Sequence, residues 1–153
     1  MKKIFQLMMI ATLALLSTSC LEKGLKELEV FEGKEINTVY VAHRYYGEDK
    51  IPVSGQPVVK QHLLQTKVVE KDAEKGVFTV DVIIPSNLPK SQVGKVVKEN
   101  LVVMVVLSSA ATIEPIGDAP KLGVPGNWSK PNQYTVRAAD GSTQVWTITL
   151  RNI

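Results

Sequence analysis

The chain has 153 residues, of which 44% are hydrophobic and 22% charged, and its formal net charge is +3. That length supports one domain with a real core and leaves little room for a second independent one. Residues 1–19 hold Lys2 and Lys3 and no acid, so without them the net charge falls from +3 to +1, and no basic run remains of the kind that neutralises nucleic-acid phosphates.

In chain order, Lys2 and Lys3 form a positive start, Ile4–Leu16 an apolar stretch of about 13 residues, and Ser17-Thr18-Ser19 a small-residue run into Cys20, the only cysteine. The order is that of an export signal, and the apolar stretch falls short of the roughly 20 residues that span a bilayer as a helix. Because the small residues meet a cysteine, the pattern resembles a bacterial lipoprotein signal. In such a signal the thiol is acylated and cleavage leaves Cys20 as the new N-terminus. The resemblance departs from the usual motif in having Leu16 four residues before the cysteine and Ser19 next to it. Ordinary secretion with a chance cysteine is the alternative. An acylated Cys20 leaves no thiol for a disulfide, a nucleophile or a zinc site, and more than one acyl chain anchors stably, at about 0.8 kcal/mol per buried CH₂. The domains expected are a signal at 1–19, a lipid-anchored linker at 20–35 and a folded domain at 36–153. The linker is charge-dense, with a short helical turn conceivable over Leu25–Val30.

From Ile36 onward β signals dominate. Val39 and Val41 alternate with Tyr40 and Ala42 in a first strand, which the cluster Gly47, Pro52, Gly55 and Pro57 should break; a second covers Val58–Val69. In Val77–Ile84, Phe78, Val80, Val82 and Ile84 share a face opposite Thr79 and Asp81, and Pro85 ends the strand. One short helix or turn is allowed near Pro89–Lys95. Leu101–Leu107 is apolar on both faces, which predicts a central strand covered on both sides. Ala111–Pro115 is a shorter strand, and Ile116–Pro131, with three prolines and three glycines, reads as a long loop. In the last hairpin a two-residue loop at Asp140-Gly141 would put the Tyr134 and Trp146 sets on opposite faces. A three-residue loop, Ala139-Asp140-Gly141, with Gly141 in the left-handed region, pairs Tyr134 with Trp146 and unites the two sets. These elements predict an all-β fold, an antiparallel sandwich of about seven strands.

The chemistry-bearing residues form no recognisable catalytic set. His43 and His62, the only histidines, have no second ligand at metal spacing, and a satisfied histidine is the simpler reading. The carboxylates Asp49, Asp72, Glu74, Asp118 and Asp140 sit in turns with no second acid placed across a cleft. The serines lack a nucleophile elbow, and Gly123-Val124-Pro125-Gly126 lacks the N–H groups and following helix of a phosphate cradle. Asn127-Trp128-Ser129 fits the glycosylation pattern by letters alone. No cofactor or metal is predicted, and no enzyme. Tyr40, Tyr45, Tyr46 and Trp128 could form a sugar-stacking platform, since rings with polar handles pack on apolar faces. Trp146 and Tyr134 read instead as core, and for Trp128, set between prolines, a plug at the sandwich end is favoured over a ligand contact. Arg44, Tyr45 and Tyr46, beside the Gly47–Gly55 loop, are the better exposed contact surface, with Trp128 as a further candidate ligand contact.

The run Ala111-Thr112-Ile113-Glu114-Pro115, then Trp128-Ser129-Lys130-Pro131, Tyr134, Val136, Ala138, Asp140-Gly141 and Trp146-Thr147-Ile148 resembles an Ig-like module of Bacteroidota surface lipoproteins, a domain of unknown function. The resemblance is specific over the last third and looser over Ile36–Pro85. It implies an Ig-like sandwich and, because similar proteins accompany starch-utilisation-type (Sus-type) glycan uptake systems, an accessory or glycan-binding role with no catalytic motif. The expected protein is therefore an outer-membrane lipoprotein held through acylated Cys20, on the cell surface or the periplasmic face. Its partners would be a glycan or Sus-type outer-membrane proteins. The alternative is a protein-interaction or spacer module without a carbohydrate ligand.

Overall fold

The computed structural model describes residues 30–153; Cys20, the expected export signal and most of the expected linker lie outside the described residues. The fold is all-β. Eight strands, β1 (Ile36–Lys50), β2 (Pro57–Asp72), β3 (Val77–Ile83), β4 (Leu101–Leu107), β5 (Thr112–Pro115), β6 (Pro125–Gly126), β7 (Asn132–Arg137) and β8 (Thr143–Arg151), form one hydrogen-bonded order, β5-β7-β8-β3-β2-β1-β4-β6. Between β3 and β4 lie a single helical turn, α1 (Lys90–Val93), and a 3₁₀ turn at Lys98–Asn100.

The long strand β2 changes partners along its length. From Val59 to Leu64 it pairs with β1, ending at Val41↔Leu64; from Gln65 it pairs with β3, beginning at Gln65↔Ile83. No residue of β2 therefore carries both neighbours, and the two halves of the sheet can twist apart and face each other. Ile36, Val39, Val41, Leu101 and Val103 from one half and Phe78, Val80, Val82, Tyr134, Val136, Trp146, Ile148 and Leu150 from the other make one continuous core. The alternation that places Phe78, Val80 and Val82 on one face of β3 is the one the sequence carries, and Ile148 and Leu150 of β8 lie directly beside Phe78 and Val80.

The sheet is mixed rather than antiparallel throughout: β3 and β8 run parallel, from Val77↔Thr147 to Asp81↔Arg151. Side-chain alternation has the same period in either orientation, so it could not have told the two apart. Eight strands form instead of about seven because Pro125–Gly126, inside the predicted loop, pairs with Leu101 and Val102. The first strand is longer than expected. It runs through Gly47 to Lys50, with its register broken between Tyr46 and Lys50. β4 is covered on both faces only at its start, where Leu101, Val102 and Val103 are buried; Val106 on its outer face is 45% exposed.

In the last hairpin Tyr134 lies opposite Trp146, Ala138 N–H donates to Ser142 O at 2.9 Å, and Gly141 sits at φ +86°. That is the three-residue turn. Asp140 steadies it by accepting Ser142 N–H at 2.8 Å, and the Ser142 hydroxyl, followed by this main-chain hydrogen bond, holds the Asp140 carboxyl below the usual carboxylate range. Both core rings also satisfy their polar atoms: Tyr134 Oη donates to Pro120 O at 2.7 Å and Trp146 Nε1 to Lys34 O at 2.9 Å. Burial pushes the Tyr134 phenol pKa well up. The residues just before β1 are stitched to the domain, since Phe31 O accepts Ala139 N–H and Glu35 O accepts Ser108 N–H.

Gly76, in the β2–β3 turn, has φ +64°, and its carbonyl accepts Thr147 N–H at 2.7 Å at the start of the parallel pairing. A Cβ there would run into the Val145 carbonyl oxygen, whereas Gly117, at φ +63°, has open space around it. Gly76→Ala should therefore cost at least about 2 kcal/mol in urea unfolding. Gly117→Ala, bearing only the left-handed penalty, should cost about 1 kcal/mol. Equal costs at the two positions would mean that β8 does not pack on the turn as described.

Candidate functional site

β4 accompanies β1 only as far as His43↔Leu101, so from Arg44 onward β1 keeps β2 on one edge and has no strand on the other. That open edge is walled by residues from α1 and beyond it, Gln92 and Lys95, by Asn100 of the 3₁₀ turn, and by Pro125 of β6. The result is an open pocket of about 700 Å³ whose other walls are His43, Arg44, Tyr45, Tyr46 and Val59. Its size falls within the range usual for small-ligand sites.

Successive β1 side chains point to opposite sides. His43 is only 2% exposed, and Tyr45, two residues on, stacks against it with ring centroids 5.6 Å apart and planes 19° from parallel. The imidazole Nε2 faces Gln92 Oε1 at 3.4 Å, and Nδ1 has no hydrogen-bond partner among the described residues. On the alternate side Arg44 is fixed by three hydrogen bonds. Nε and Nη2 donate to Gln61 Oε1 at 3.1 and 2.7 Å, and Nη2 also donates to Gly123 O at 3.1 Å. Tyr46, at 72% exposure, presents its ring at the rim opposite its cross-strand neighbour Val59. Beyond the rim, Asp49 and Lys60 form an ion pair at 2.6 Å. The Lys60 ammonium holds the Asp49 carboxyl below its ordinary range, and the carboxylate raises the Lys60 pKa; both side chains are exposed, so the pair adds little stability.

Three of the residues singled out in the sequence, Arg44, Tyr45 and Tyr46, thus lie together in the pocket. Trp128 does not. It is 1% exposed, its ring lies nearly parallel to Tyr134 at 6.0 Å between centroids, and its main-chain N–H donates to Lys98 O while the indole Nε1 is buried without a partner among the described residues, so it is a core residue and no ligand contact. Tyr40 sits on the outer face of β1, outside the pocket walls. Tyr134, Asp140, Gly141 and Trp146 make the hairpin described above. The two histidines face each other across β1 and β2, His43↔His62, but each ring turns to an amide, and His62 Nε2 meets Asn87 Oδ1 at 3.0 Å.

Gln92, Lys95 and Asn100 escaped the sequence reading because they come to His43 from some fifty residues away, on a segment with no periodic pattern. The one available signal was the allowance for a helical turn near Pro89–Lys95. Among the described residues no group of three or more His, Cys, Asp or Glu side chains is arranged to hold a metal ion. The pocket wall thus combines aromatic rings, two side-chain amides, a hydrogen-bonded guanidinium and the Lys95 ammonium.

The chain belongs to the DUF5018-related family, which it matches over residues 36–149. It is similar to a crystal structure of a candidate secreted protein from Bacteroides fragilis NCTC 9343, with 36% sequence identity and a TM-score of 0.71, covering 80% of this chain and 98% of that one. A second similar structure, a candidate glycoside hydrolase from Bacteroides thetaiotaomicron, shares 17% identity at a TM-score of 0.42 and covers 85% of this chain but 28% of its own. That likeness is too distant to carry an argument. Among curated proteins none matches.

The burial of Trp128 has a measurable consequence. Trp128→Ala should lower the unfolding free energy by about 3–5 kcal/mol. A loss below about 1 kcal/mol, as for an exposed ring, would return Trp128 to the list of ligand contacts.

Proposed function

We propose that this member of the DUF5018-related family is a non-catalytic, extracytoplasmic module that holds a saccharide in the β1 pocket. The observation that carries the reading is the ring arrangement: Tyr45 stacked on buried His43 and Tyr46 exposed at the rim, beside the amides of Gln92 and Asn100. Aromatic faces suit the apolar faces of pyranoses, and amides suit their hydroxyls. Arg44, held by Gln61 and Gly123, keeps the wall in place without ligand, which lowers the ordering cost of binding.

An extracytoplasmic location is supported by the export-type N-terminus and by the similarity to a candidate secreted Bacteroides protein. Acylation of Cys20 and outer-membrane anchoring extend that reading, as does service to a Sus-type glycan uptake system, which follows from the C-terminal resemblance.

A second reading rests on the unpaired edge of β1 beyond His43, which offers main-chain groups to an extended segment of another protein. Substitution separates the two. If a saccharide is held, Tyr46→Ala should weaken retardation of the protein in glycan-containing affinity gels by about tenfold, since a stacked ring contributes on the order of 1–2 kcal/mol. Its unfolding midpoint should not change. Unaltered retardation by Tyr46→Ala would remove the stacking role, and failure of the wild-type protein to bind any of a broad glycan panel would favour the protein-docking reading.

A further inference from the structure

Resting on the saccharide reading of the β1 pocket, we infer that its ligand is an acidic sugar, a uronic acid or similar carboxylate-bearing residue within an oligosaccharide. The charged groups in the pocket wall are Arg44 and Lys95, and no Asp or Glu is among the lining residues. The ion pairs of the described residues are Asp49–Lys60, Asp72–Lys75, Asp118–Lys130 and Asp81–Arg151, so among the described residues neither pocket cation has a carboxylate partner. Of the acids on the same hairpin, Asp49 is already engaged by Lys60, and Glu48 lies outside the wall.

Arg44 donates to a side-chain amide oxygen and a main-chain carbonyl oxygen. Both are neutral acceptors. They fix the guanidinium in space and leave its charge uncompensated. A concave wall bearing one sign of charge concentrates its field in the pocket and favours the opposite charge. A neutral sugar would bury part of the guanidinium against hydroxyls alone, whereas a carboxylate gives it a charge-assisted hydrogen bond. Because the guanidinium is already immobile, little side-chain entropy is lost when the anion arrives. The rings and the two amides then discriminate a sugar acid from other anions, since a simple carboxylate offers nothing to stack on Tyr46.

The test compares oligogalacturonate with its methyl ester, which keeps the sugar and removes the charge, by calorimetric titration of the whole protein. Neutral galactan oligomers and polyglutamate serve as further ligands. The acid form should bind about tenfold or more tightly than the ester, consistent with a hydrogen bond to a charged group, and lose affinity as salt is added. Lys95→Gln, at an exposed position, should erase several-fold of that preference with the unfolding midpoint unchanged. Equal or tighter binding of the ester or of galactan would overturn the acidic preference and leave the saccharide reading standing. Polyglutamate binding as tightly as oligogalacturonate would also overturn it, by reducing the site to a polyanion patch. Binding of none of the four would defeat both.

Discussion

The exchange of partners along β2, from β1 at Leu64 to β3 at Gln65, is the constraint on which the rest of the molecule depends. Had β2 kept both neighbours over its whole length, the strands would form one open twisted sheet with two faces to cover. By giving each neighbour only half of the strand, the chain splits the sheet into two leaves that bury their apolar faces on each other. The single core, from Val39 and Val103 in one leaf to Phe78 and Trp146 in the other, is the consequence. Gly76 and its hydrogen bond to Thr147 secure the second leaf, where β8 enters parallel to β3.

The same arrangement creates the pocket. β4 covers the first half of β1 and stops at His43, while the second half continues alone with β2 to the hairpin tip. The segment between β3 and β4 must cross from one leaf to the other, and in crossing it brings Gln92, Lys95 and Asn100 to the uncovered edge. Arg44 ties the edge to Gly123 in the long loop before β6. Fold and site are therefore two results of one strand arrangement, and the polar groups of the pocket lie where the sheet has no strand to pair with.

Much of this was legible in the sequence, and what was not has physical reasons. The period-two pattern of Phe78, Val80 and Val82 identified an inward face, and the requirement that Tyr134 and Trp146 share a face selected the bulged turn, because a one-residue slip would have moved a whole strand outward. Arg44, Tyr45 and Tyr46 stood out as polar-tipped residues at the end of an apolar strand. The parallel pairing of β3 with β8 was invisible, since it is a property of chain direction. The two-residue strand β6 was too short to show a period, and Pro125 disguised it as loop. Trp128 is an intermediate case: its setting between prolines favours a plug at the sandwich end over a ligand contact, and the loop does fold back so that its indole lies on Tyr134.

The central claim is that the open edge of β1 is where this protein meets its ligand. Amide chemical shifts followed by NMR during titration with oligogalacturonate test it most directly. The largest changes should cluster at His43–Tyr46, Gln92, Lys95 and Asn100, with the outer face around Tyr40 and Leu63 unmoved. Changes centred on that outer face, or none at saturating ligand, would contradict the account.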